Sequence, residues 1–173
     1  MPALDDMTLF PDLPDEARLW VHVARRPLSA DEKATFESAL DTFFDQWDSH
    51  GRSVDGAAAL WDDQILALAA HVEEGDLSGC GIDKGLNAIK DAADALGIAW
   101  VPSLHVVYRD AEGAIQHVSR GRFQELADAR TVDTDTPVFD LSVTTVGELR
   151  AGQFEQPAGS SWHADAFDLR QPA

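Results

Sequence analysis

The chain has 173 residues, 45% of them hydrophobic, which is enough to bury a core and excludes wholesale disorder. Its formal net charge is −18, from 31 acidic residues against 13 basic ones. That balance excludes duplex nucleic acid as a natural partner, because phosphate binding needs a basic footprint, and it disfavours anionic lipid headgroups.

The acidic residues are spread along the whole chain. This pattern fits a halophilic surface adapted to a salty cytoplasm better than a single acidic face for a basic partner. The only cysteine, Cys80, leaves no intrachain disulfide. The first residues show neither a basic n-region nor an apolar h-region, and the longest apolar run, Ile65 to Ala70, is too short to span a bilayer. The expectation is a soluble, cytoplasmic protein.

Residues 1–16 are acidic and carry three prolines, so they read as a flexible arm. Arg18 to Arg25 is rich in β-formers and reads as a strand. Ser29 and Glu32 are spaced as a capping box, opening a helix with Phe36, Leu40, Phe43 and Trp47 on one face and closing at His50-Gly51. Ala57–Trp61 and Ile65–Val72 form a hairpin, and the unbroken apolar run of the latter marks a central strand covered on both faces. A glycine-rich stretch, Gly75 to Gly85, runs from the strand into a helix that covers Ile82 to Leu96 and stops at Gly97. Leu104–Tyr108 and Ala114–Val118 make another hairpin. Beyond it come a helix at Phe123–Ala129, an extended Pro137–Leu141 and a short helix capped by Thr145 and Glu148. The tail from Gly159 carries no clear element.

The order strand, helix, strand, strand, helix, strand predicts an α+β fold with a ferredoxin-like βαββαβ antiparallel sheet, its helices on one face. Residues 17–118 form that core and 119–173 a C-terminal α/β extension packed on it, one domain overall. On this reading the first and third strands lie side by side and parallel, so their carboxyl ends open on one edge. Arg25 and Arg26 would then meet the Ser78-Gly79-Cys80-Gly81 turn and two helix N-termini. That patch would bind a small anionic metabolite, with Arg25, Arg26, Ser78, Gly79 and Gly81 as its ligands. Cys80 would be a candidate nucleophile, its thiolate favoured by the arginines and the helix end. A lone cysteine also has a plainer role as a small buried hydrophobe.

The histidines carry less. His50 falls at the opposite edge of the expected sheet, His22 inside a strand, and His71 with Glu73, Glu74 and Asp76 at a solvated strand end. His163 alone is left unplaced by the topology. Trp100 and Trp162 are the two tryptophans positioned to recognise a ligand, with packing as the alternative. No cofactor and no metal set is expected.

Phe43–Gly51 (FFDQWDSHG), Ser78–Gly85 (SGCGIDKG), Thr136–Asp140 (TPVFD) and Ser160–Phe167 (SSWHADAF) together resemble a group of small uncharacterised bacterial proteins. These come chiefly from the Bacteroidetes, and some carry the label "ABC transporter ATPase". The group commonly has serine at the position of Gly81, and the resemblance implies no catalytic residue. Leu77–Gly81 looks like the LSGGQ signature of transporter ATPases, but the chain has no G-x-x-x-x-G-K-[ST] loop to hold phosphate, so ATP hydrolysis is rejected. Phe123–Leu126 followed by Asp135–Phe139 is similar to GYF-type modules, which bind proline-rich peptides. Two functions follow as expectations: an anion-binding protein with a reactive Cys80, or a non-enzymatic interaction protein. The second uses the acidic surface, the arm and the tail to hold a protein partner, and the edge strand at 57–61 could also pair across a homodimer.

Overall fold

The computed structural model describes residues 9–173, and they form two compact units. The first contains the chain up to Trp100 together with Thr144–Ala151; the second contains Val101–Val143 and Gly152–Ala173.

In the first unit, β1 (Arg18–Val23) leads through Arg25-Arg26-Pro27 to α1 (Ala30–Phe44). The Ser29–Glu32 capping box is formed: Ser29 Oγ accepts from the Glu32 N–H at 3.2 Å, and the Glu32 carboxylate accepts from the Ser29 N–H at 2.8 Å. Two short strands, β2 (Asp48–Ser49) and β3 (Arg52–Ser53), precede the hairpin of β4 (Asp55–Trp61) and β5 (Ile65–His71). Then α2 (Gly79–Leu96) runs to a left-handed cap at Gly97. The sheet order is β1-β5-β4 with both pairings antiparallel. Central β5 is buried along Ile65–Ala70, as its unbroken apolar run requires. Its core joins Phe36 and Leu40 of α1 to Ile89 and Ala93 of α2 over Leu66 and Leu68. Finally, α4 (Val146–Arg150), opened by the Thr145–Glu148 capping box, returns the chain to this unit between the two segments that make up the second.

In the second unit, β6 (His105–Arg109), β7 (Ile115–Ser119), α3 (Arg120–Asp128), β8 (Pro137–Phe139), β9 (Glu155–Pro157) and a one-turn α5 (His163–Ala166) follow in order. Its antiparallel sheet is ordered β7-β6-β8-β9, and one face carries Val106, Tyr108 and Val138 into a core with Phe123 and Phe167.

The α+β class holds, and several finer expectations change. The strand meant to complete the first sheet pairs instead with β7 and β8, so the boundary lies at Trp100 rather than after 118. The open side of β1 receives only single bridges, Ala24 to Trp100 and Arg18 to Thr145. Pro102, which has no N–H to donate, follows soon after Trp100 and ends any strand there. The first helix stops at Phe44; His50 and Gly51, with φ of 52° and 75°, form the tight turn between β2 and β3 rather than a helix cap. Residues 1–8 of the expected flexible arm lie outside the described residues. From Leu9 the arm is docked: Leu9, Phe10 and Leu13 are buried, and the Arg150 guanidinium donates to all three of their carbonyls, at 3.3, 2.6 and 2.9 Å. The tail from Gly159 also contributes structure, in α5.

Candidate functional site

The glycine-rich turn is built around a cap. Ser78 takes extended backbone angles and its Oγ accepts from the Gly81 N–H at 3.0 Å. Ser49 Oγ in turn accepts from the Ser78 N–H at 3.0 Å and lies 2.7 Å from Ser78 Oγ. The buried Trp47 indole donates to the Gly81 carbonyl at 2.8 Å. Gly81 is a packing requirement, since a Cβ there would lie 2.9 Å from Ser49 Oγ and 3.2 Å from Leu77. Two of the amides that an anion would need, those of Ser78 and Gly81, are therefore already bonded to serine hydroxyls. Cys80 is exposed in the first turn of α2.

The arginines are elsewhere. In the antiparallel register Val23 faces Ile65 and Arg18 faces Ala70, so the end of β1 lies beside the start of β5. Arg25 and Arg26 thus sit at the opposite end of the sheet from the Ser78–Gly81 turn, roughly 20 Å away by strand rise. The expected parallel pairing was the error: β5 runs antiparallel both to β1 and to its hairpin partner β4. Arg26 is held by a two-pronged pair with Glu32, at 2.9 and 2.7 Å, and that bond, with the Ser29 N–H, draws the Glu32 carboxyl down to about 2. Arg25 Nε donates to the Trp100 carbonyl at 3.1 Å. His50, expected far from the turn, is in the same short hairpin as Ser49, which bonds to it.

The second unit brings together two of the sequence segments singled out above. Trp162 Nε1 donates to Asp140 Oδ1 at 3.2 Å, joining the Thr136–Asp140 and Ser160–Phe167 stretches. His163 is fully buried, stacked 3.9 Å from the Trp162 ring, with Nδ1 2.9 Å from Ser161 Oγ. Burial pushes its imidazole down to about 4, Asp140 opposing and Arg120 reinforcing the shift. The Arg120 guanidinium lies 5.4 Å over both the Trp162 and Phe167 rings.

The feature best suited to holding another molecule is the free side of the first sheet. β4 is its edge strand, and among the described residues nothing pairs with its outer side within the sheet. Its sequence, Asp-Gly-Ala-Ala-Ala-Leu-Trp, has no internal lysine or proline, the devices that normally blunt such an edge. Beside it, α1 and β4 border a groove of about 240 Å³, whose apolar lining includes Phe36, Leu40, Ala58, Leu60 and Leu66. That volume is below the roughly 300–1,000 Å³ of small-molecule pockets and suits a side chain better than a metabolite. Exposed Glu37 and Asp41, one helical turn apart, also line it, and neither forms an ion pair among the described residues. The sequence pointed to this edge at 57–61 but not to the groove, which depends on how α1 crosses β4.

The chain matches no family model, no curated protein and no solved structure. Among the described residues no group of three or more histidine, cysteine, aspartate or glutamate side chains is arranged to hold a metal ion, and no helix is long and apolar enough to cross a membrane.

Proposed function

We propose that this protein is a non-catalytic interaction module that takes up an extended, basic peptide segment of a partner along β4. The observation that carries the reading is the unblunted edge strand lying beside an acid-rimmed apolar groove. Backbone N–H and C=O groups of the added strand would complete the ladder, and alternate side chains would reach the groove or solvent. One apolar side chain seated against the half-buried Ala58 and Leu60 supplies an anchor, while lysine or arginine beside it meets Glu37 and Asp41. A second copy of the chain fits less well, since each copy carries −18 and the edge is itself rimmed by acid. The exposed thiol of Cys80 has no part in this reading, and neither does ATP hydrolysis.

An octapeptide of alternating lysine and valine is a direct probe. At 0.15 M salt it should bind with micromolar affinity, its glutamate–valine counterpart should not, and E37K/D41K should weaken binding by at least about tenfold. Replacing alternate valines by proline should also abolish binding, because the ladder donors are lost. Equal binding of the acidic and basic peptides, or none of either, would overturn the proposal.

A further inference from the structure

The second unit holds a pair of histidines that no function above uses. His105 lies on β6 and His117 on β7, and the register places Val107 opposite His117 and Ser119 opposite His105. The two side chains are therefore diagonal neighbours on one face of the hairpin. Their Nδ1 atoms are 3.0 Å apart, the ring centroids 5.3 Å and the planes 30° from parallel, with both residues half-buried.

Two imidazoles that meet nitrogen to nitrogen share one hydrogen bond, with one Nδ1–H donating to the other ring's lone pair. The same spacing is what a chelate requires. Metal–nitrogen bonds of about 2.0–2.1 Å, set at between a right angle and the tetrahedral angle, put the two nitrogens about 2.9–3.4 Å apart. The rings now face each other nearly end to end, so each must swing about χ2, a soft torsion for histidine, to aim its lone pair at a common point. Neutral imidazole pairs suit zinc, copper and nickel, whereas magnesium and calcium want oxygen.

The geometry points to His105 and His117 as a two-nitrogen site for a divalent transition-metal ion, Zn²⁺ or more tightly Cu²⁺, whose remaining positions are filled by water. The proton balance is simple. With both rings neutral, the Nδ1 proton of the donor ring moves through solvent to its own Nε2, so no proton is released overall. A ring that starts protonated gives up one proton to the solvent as the metal binds. This site is independent of the β4 edge, which lies in the other unit.

Isothermal titration of the full chain with ZnCl₂, and with CuCl₂ held by a weak competing buffer, tests it. One ion should bind per chain, more tightly for Cu²⁺ than for Zn²⁺, and Mg²⁺ should not bind. Affinity should fall as the pH is lowered, because protons compete with the metal for the ring nitrogens. H105A and H117A should each weaken binding at least tenfold, while H50A and H71A, removing the exposed and half-exposed histidines of the first unit, should leave it unchanged. H117Q keeps a hydrogen-bonding group in place of the ring and should retain the melting temperature while losing the metal. Binding that survives H105A and H117Q, binding that follows His50 or His71 instead, or no binding at 0.1 mM metal would each overturn the assignment.

Discussion

The imidazole of His163 illustrates what a single buried titratable group costs. Its Nδ1 faces Ser161 Oγ, but its Nε2 is buried with no hydrogen-bond partner among the described residues. Charging the ring inside a cluster of Trp162, Phe167 and Phe123 is opposed by burial, which is why it titrates near 4 rather than 6.5. The unfolded chain therefore binds this proton at higher pH than the folded one. Stability from the neutral ring is fully present above about pH 6.5 and is lost as the pH falls through 6.5 towards 4, a difference of roughly 3 kcal/mol. Thermal melts of the protein and of H163F between pH 7.5 and pH 4.5 should show a steeper fall for the parent. Parallel curves would mean that another group governs the acid limb. The sequence left His163 as the one histidine without a place, because nothing in Ser-Ser-Trp-His reveals a burial that depends on Phe123, some forty residues earlier.

At the level of elements, α2 is fixed by a close approach rather than by propensity. A Cβ on Gly85 would sit 2.6 Å from the Trp47 ring, and Trp47 cannot retreat, since its indole nitrogen is bonded to the Gly81 carbonyl and its other side meets Phe43 and Phe44. Alanine in a helix is worth up to about 1 kcal/mol over glycine, but overpacking of this kind costs about 1–3 kcal/mol, so G85A should destabilise. Gly79, in the same helix, has nothing within 4 Å of its would-be Cβ. G79A should be neutral or stabilising, so denaturant melts should place its midpoint at or above that of the parent and the midpoint of G85A below it. Helix starts were legible in the sequence at the two full capping boxes, Ser29–Glu32 and Thr145–Glu148; the serine caps without an acidic partner, Ser78 and Ser119, open α2 and α3 three residues before the expected Ile82 and Phe123. Strand partners were not legible. The sequence identified His105–Arg109 as a strand in a hairpin, yet its second neighbour, β8, lies almost thirty residues on and pairs through only two positions, too short a stretch to declare itself by alternation. The candidate site failed on the same ground: Arg25 and Arg26 do lie between a strand and a helix, but Gly79–Gly81 form the first turn of α2 rather than a loop before it, and the direction of β5 against β1 keeps the two segments apart.

For the whole molecule, charge is the dominant condition. With −18 distributed over 173 residues and many carboxylates unpaired, self-repulsion opposes folding most strongly at low ionic strength, where the Debye length is about 30 Å, and little at 1 M, where it is about 3 Å. The melting temperature should rise by several degrees between 0.01 and 1 M KCl, and a flat or falling profile would show that the acidic groups do not sense one another. The route of the chain adds a different constraint. The first unit is closed by α4, whose Arg150 clasps the carbonyls of Leu9, Phe10 and Leu13, yet residues 101–143 of the second unit are made in between. During synthesis one of the earliest parts of the protein must therefore wait for one of its latest, so a nascent chain that stalls anywhere short of Arg150 leaves three carbonyls without the guanidinium that gathers them in the finished protein.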